Sequence, residues 1–180
     1  LNENGIDVID ATNKASMTRI GGTTYPQLSY CHQGWVSPDF KYLYVDDELD
    51  NINTTRVFDV TDPSKPNYLT SFQQVTPSID HNLYYRDGKI YEANYTSGLR
   101  IFKVGDDPTK PVEVAFFDTH PESNAASFNG AWGNYPYLPS GTLLISDIER
   151  GLFIVKEEVG QLVFGFPQGL PEVLAPGEPA

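Results

Sequence analysis

Residues 81–117 read HNLYYRDGKIYEANYTSGLRIFKVGDDPTKPVEVAFF. Four short runs rich in Tyr, Val, Ile and Phe stand out: His81 to Arg86, Lys89 to Tyr95, Leu99 to Val104 and Val112 to Phe117. Asp87-Gly88, Ser97-Gly98 and Asp107-Pro108 separate them, and such turn signals between short β-prone runs predict an antiparallel meander. No window of the chain offers a capped 3.6-residue periodicity of helical length.

The unit recurs. Arg100-Ile101-Phe102-Lys103-Val104 aligns with Arg56-Val57-Phe58-Asp59-Val60 and with Phe153-Ile154-Val155-Lys156, and Asp7-Val8-Ile9-Asp10-Ala11 is an earlier copy. Upstream of these lie Tyr42 to Asp47, Lys89 to Asn94 and Thr142 to Asp147; downstream, Asp62-Pro63-Ser64-Lys65-Pro66 matches Asp107-Pro108-Thr109-Lys110-Pro111. A repeat of about fifty residues holding four short strands is the signature of a propeller blade. The expectation is an all-β β-propeller with about three and a half four-stranded blades, the C-terminal part of a larger propeller. Residues 1–22 supply the last two strands of an incomplete blade. Residues 23–72, 73–117 and 118–166 form one blade each, and the Pro/Gly-rich 167–180 a tail, all within one domain. The missing strands make the rest of the propeller, upstream of residue 1, the first expected partner, because end blades would otherwise expose apolar faces.

Composition narrows the function classes. The 180 residues carry 12 Lys and Arg against 24 Asp and Glu, a net charge of −12. That balance argues against nucleic acid as a partner, since phosphate neutralisation needs a basic face. With 39% hydrophobic and 13% aromatic residues the chain is too apolar for disorder. No apolar run approaches the ~20 residues of a membrane span. The single cysteine, Cys31, rules out an intrachain disulfide and reads as a small buried apolar group. The sequons at Asn53 and Asn94 are candidate glycosylation sites and point weakly to secretion.

Antiparallel pairing puts the start of a blade's first strand beside the end of its second. His32, His81 and Asn129 are read as beginning successive blades; Asp46, Asp47 and Glu48, then Glu92 with Asn94, then Asp147 with Glu149, end successive second strands. These ten residues are the candidate metal or ligand-binding set. Carboxylates with amide oxygens suit Ca²⁺, the favoured cation; adding imidazoles opens the site to a transition metal. The rival reading is that a polar residue repeated once per blade ties blades together. Trp35 and Trp132 are read as packing between blades, Arg150 as neutralising Asp147 and Glu149, and Arg100 as able to pair with Glu92.

At Ser29 to Trp35, Asp46 to Asp50, Ile79 to Leu83, Ala93 to Tyr95, Phe128 to Trp132 and Ser146 to Phe153 the sequence resembles the choice-of-anchor B family, whose members carry LVIVD repeats. The resemblance covers most of residues 1–157. It implies a β-propeller that is secreted or displayed at the cell surface, and implies no particular activity.

Three functions are then in play. The leading one is an extracellular, cation-stabilised binding module for a surface polymer or protein. A metal-dependent hydrolase or lyase with its site on the propeller rim is the alternative, and a structural part of an extracellular assembly is the third.

Overall fold

The computed structural model describes residues 1–50, 53–158 and 161–164. The described chain is all-β, with no helix, and its strands form four separate antiparallel sheets. The first holds β1 (Ile6–Asp10) and β2 (Thr18–Thr23). The second holds β3 (Cys31–Val36), β4 (Tyr42–Asp47), β5 (Thr54–Asp59) and β6 (Asn67–Gln73). The third runs β7 (Asn82–Arg86), β8 (Lys89–Ala93), β9 (Leu99–Lys103), β10 (Val112–Phe117), and the fourth β11 (Ala131–Tyr135), β12 (Thr142–Asp147), β13 (Gly151–Glu158), β14 (Gln161–Phe164). Every strand pairs with its chain neighbour, and the sheets do not close into a barrel. The Pro/Gly-rich stretch 167–180 lies outside the described residues.

Local chemistry explains the meanders. Arg86 pairs with Lys89, leaving Asp87 and Gly88 as a two-residue loop with φ of 51° and 75°. Positive φ at both positions is what a hairpin with right-handed strand twist requires, and Asp-Gly supplies it. The repeated Asp-Pro turns close alike: Ser64 N–H donates to Asp62 Oδ1 at 3.0 Å, and Thr109 N–H to Asp107 Oδ1 at 3.1 Å.

Apolar cores fill the spaces between consecutive sheets. Ile6, Tyr25, Cys31, Leu43, Val45 and Phe58 join the first sheet to the second. Tyr44, Val57, Leu83, Ile90 and Phe102 join the second to the third, and Ala93, Ile101, Ala131, Leu143, Ile145 and Val155 join the third to the fourth. Leu43, Tyr44 and Val45 are consecutive yet serve two cores, because successive side chains leave opposite faces of a strand. Both faces of the middle sheets are therefore buried, which is why their strands read as near-continuous apolar runs.

The first strands lie side by side and are tied by amides. Gln33 donates from Nε2 to the Leu83 carbonyl at 3.0 Å and accepts the Leu83 N–H at 2.8 Å. Asn134 Nδ2 donates to the carbonyls of Asn82 and Tyr91. Register corrects one sequence alignment here. Bulges at Cys31/Gln33 and Ala131/Gly133 displace β3 and β11, and Gln33, Asn82 and Gly133 face equivalent residues Asp46, Ala93 and Ser146. The residue equivalent to His32 and His81 is therefore Trp132, not Asn129, which precedes β11. Trp35 correspondingly aligns with Tyr84 and Tyr135.

Candidate metal centre

His32 occupies the β3 bulge, Glu48 follows β4 and His81 precedes β7, so strand ends from two sheets converge. The Glu48 backbone is fixed by its N–H donating to the Tyr30 carbonyl at 3.1 Å. Its Oε2 lies 3.5 Å from His32 Nδ1 and its Oε1 lies 3.5 Å from His81 Nε2. The two imidazoles stack with centroids 4.4 Å apart and planes 17° from parallel. Tyr30 stacks beyond His32, Trp132 tilts against His81 at 4.8 Å, and Tyr95 donates its hydroxyl to Glu48 Oε1.

His81 is held in one tautomer. Its Nδ1 lies 2.6 Å from the Trp132 carbonyl oxygen, where two lone pairs would repel, so that nitrogen carries the hydrogen even though Asn82 Nδ2 is also 2.8 Å away. The Nε2 lone pair then faces Glu48. Burial pulls the His81 pKa down to about 4, helped by His32 and opposed by the Trp132 carbonyl and by Glu48. His81 is thus a neutral imidazole at pH 7, the form that binds metals.

One ligand atom from each of His32, Glu48 and His81 lies within 4.8 Å of the others, the one such trio among the described residues. The side chains are 28%, 14% and 1% exposed, so the cluster is rooted in the interior and open on one side. Two imidazoles and a carboxylate suit Zn²⁺ and its first-row neighbours. The near-parallel rings set their nitrogens side by side, so closing on one ion turns a ring, and His32 is the one with room.

Adjoining this cluster is an acidic chamber, a set of buried side chains between the second and third sheets. Asp46, Asp80, Glu92 and Asn94 are all fully buried. Glu92 accepts from Thr55 at 2.9 Å, from Gln74, and from Asn94 at 3.2 Å; Asp80 accepts the Asp47 N–H at 3.2 Å. Thr55 also adjoins Asp46, but its single hydroxyl hydrogen goes to Glu92, which leaves Asp46 Oδ1 and Oδ2, like Asp80 Oδ1 and Asn94 Oδ1, without a hydrogen-bond partner. Burial first, then the neighbouring carboxylates, pushes Asp46 and Asp80 well above the usual carboxylate range, and burial pushes Glu92 up to about 7. Nearby Arg56 pairs with Asp50 at 2.6 Å, and Arg100 with Glu113 at 3.2 Å, not with Glu92.

The remaining predicted residues hold turns. Asp47 accepts from the Tyr25 hydroxyl and from the N–H groups of Ser29 and Tyr30, so its oxygens are committed to the loop before β3. Asp147 Oδ1 accepts the N–H groups of Glu149 and Arg150, while Glu149 accepts from Asn129 Nδ2 and Gly130 N–H. Arg150 reaches the Thr119 carbonyl and Glu122 instead of that acidic turn. Neither glycosylation candidate is accessible: Asn53 is 1% exposed with Nδ2 on Ser78, and Asn94 lies inside the chamber, so this fold has no room for a glycan at either. Trp35 and Trp132 are partly exposed, and each lies against residues at the third sheet, Trp35 on Tyr84 at 4.9 Å and Trp132 on His81 at 4.8 Å. Cys31 is buried, as expected, and burial raises its thiol pKa. Sequence reasoning missed Gln74, Tyr95 and Trp132 as parts of these sites; Tyr95 follows Asn94 directly, and that adjacency was the available signal.

No family model matches the chain, and no curated protein matches it. Its fold is similar to that of known structures, including these two. A functionally unknown protein from Desulfotomaculum acetoxidans DSM 771 is 13% identical over 93% of this chain and 51% of its own, with a TM-score of 0.66. Kuenenia stuttgartiensis hydrazine synthase is 14% identical over 89% of this chain and 42% of its own, with a TM-score of 0.62. The chain thus spans about half the length of the structures it matches. At these identities the likeness concerns the fold alone. Among the described residues no helix is long and apolar enough to cross a membrane.

Proposed function

We propose that the chain is a run of β-propeller blades serving as a binding module outside the cell, and that its working site is a divalent transition metal held by His32, Glu48 and His81. The propeller reading is supported by consecutive four-stranded meanders with cores between them and first strands side by side. The resemblance to choice-of-anchor B proteins supports the extracellular placement, and the exposed apolar residues on both end sheets suit contact with further blades.

The convergence of three ligand atoms on a site open to solvent carries the functional reading. A metal with three protein ligands keeps at least one position for an external group, so a carboxylate or hydroxyl of a surface polymer can complete the coordination. Trp132 and Tyr30 flank that opening with aromatic surface. The same open position favours metal-dependent hydrolysis as the second reading, because a bound water would occupy it.

Cobalt substitution tests the site. Chelator-stripped protein titrated with Co²⁺ should take up one ion per chain with visible ligand-field bands, and H81A and E48Q should each weaken binding at least tenfold. Wild-type protein that shows no bands, or variants that bind as tightly as wild type, would overturn the proposal. Polymer binding by the metal-loaded protein without turnover supports the module; metal-dependent hydrolysis abolished by E48Q supports the second reading.

A further inference from the structure

We infer that the buried cluster of Asp46, Asp80, Glu92 and Asn94 is a second, separate cation site, for a hard divalent ion of the calcium type that clamps the second sheet to the third. It does not rest on the His32–Glu48–His81 reading; the two differ in donor set, burial and role.

Geometry carries the inference. Asp46 comes from the second sheet; Glu92 and Asn94 come from β8 and its end, and Asp80 from the loop entering β7. Thr55 Oγ1 donating to Glu92, and Asp47 N–H donating to Asp80, already cross the boundary between the sheets. Against these bonds stand the four oxygens of Asp46, Asp80 and Asn94 that are fully buried and unpartnered. Buried polar atoms are almost always satisfied, and several together in one chamber point to a group they bind.

Charge points the same way. Three carboxylates share the chamber, and the closest cation, Arg56, is engaged with Asp50. A proton on one acid would neutralise that acid and donate to one acceptor at a time. A divalent cation answers both demands at once, offsetting charge and accepting several oxygens.

The donors are all oxygen, which selects a hard ion over Zn²⁺. The three carboxylates are not gathered as tightly as the imidazole cluster, whose ligand atoms lie within 4.8 Å of one another. Calcium tolerates six to eight irregular oxygens at about 2.3–2.6 Å and accepts one through water, whereas Mg²⁺ demands a compact octahedron.

The test uses the full chain, stripped with chelator and loaded with Ca²⁺ alone, followed by thermal melting and by calorimetry. Calcium at about a hundredfold over its Kd should raise the melting temperature by about 5–10 °C. Asp46→Asn should weaken calcium binding at least tenfold and should lose most of the calcium-induced rise in melting temperature. Glu92→Gln, whose amide keeps the Thr55 contact, serves the same purpose should Asp46→Asn fail to fold. Cobalt uptake at His32, Glu48 and His81 should be unchanged in both variants, so failure of either site is read separately. No calcium shift in wild type, or a shift that both variants retain in full, would overturn the inference.

Discussion

His81 shows how one residue can be legible by type and illegible by role. Its identity and its match to His32 mark it in the sequence, but the bond from Nδ1 to the Trp132 carbonyl depends on the β11 bulge, which no pattern announces. The same bulge moved the equivalent position from Asn129 to Trp132. Glu48 stood in a run, Asp46 to Asp50, whose four acids look alike, and only their registers separate the turn-holding Asp47, the chamber's Asp46 and the imidazole-facing Glu48. A pH dependence follows. The depressed His81 pKa means that its neutral form adds stability fully present above pH 6.5 and lost as pH falls through about 4. Glu92 runs opposite: its raised pKa gives stability that is full below 4.5 and is lost as pH rises through about 7. Asp46 and Asp80, also raised by burial, act in the same sense as Glu92, so metal-free protein should lose stability as pH rises toward and past 7, and should lose it on the acid side as His81 protonates. Glu92→Gln should make the alkaline slope shallower, with Asp46 and Asp80 supplying what remains, and His81→Gln should make the acid slope shallower. Melts in chelator from pH 4 to 8 check this, and an unchanged alkaline slope in Glu92→Gln would contradict it.

At the scale of the element the sequence was most informative, because short antiparallel strands are set by neighbours in the chain. The four runs between His81 and Phe117 match β7 to β10 to within two residues at each end. Turn glycines announced the hairpins, yet two similar-looking glycines carry different loads. Gly88, at φ 75°, has open space where a Cβ would stand. Gly98, at φ 72°, would place that Cβ 2.1 Å from the Phe117 carbonyl oxygen. Alanine at 88 should cost only the backbone conformation, about 1–2 kcal/mol. Alanine at 98 adds a clash with the backbone just beyond β10 and should cost about 2–4 kcal/mol. Urea denaturation of the two variants measures the difference; equal losses would mean that the β10 edge yields without cost.

The whole molecule is where the sequence said least: a repeat specifies its unit and its neighbour contacts, whereas closure and the depth of buried polar groups depend on how units are set against one another. Three cores in chain order, each made by two adjacent sheets, make the described fold nearly one-dimensional, and such folds store stability as a series of interfaces. The middle sheets are held on both faces. Among the described residues the end sheets are held on one, and Met17 at one end and Leu152 at the other stand 60% exposed. The ends should therefore open first. Ile145, fully buried between the third and fourth sheets, offers the sharpest probe. Ile145→Ala should remove about 2–5 kcal/mol, most of it from that one interface. Hydrogen exchange should then speed in β12 and β13 while β4 and β5 keep their protection, since the core of Tyr44, Val57 and Leu83 is untouched. Calcium, if it clamps the second sheet to the third, should sharpen that contrast by slowing exchange in β4 and β8 alone. Equal loss of protection in every sheet would instead mean that the interfaces are too strongly coupled to open one at a time.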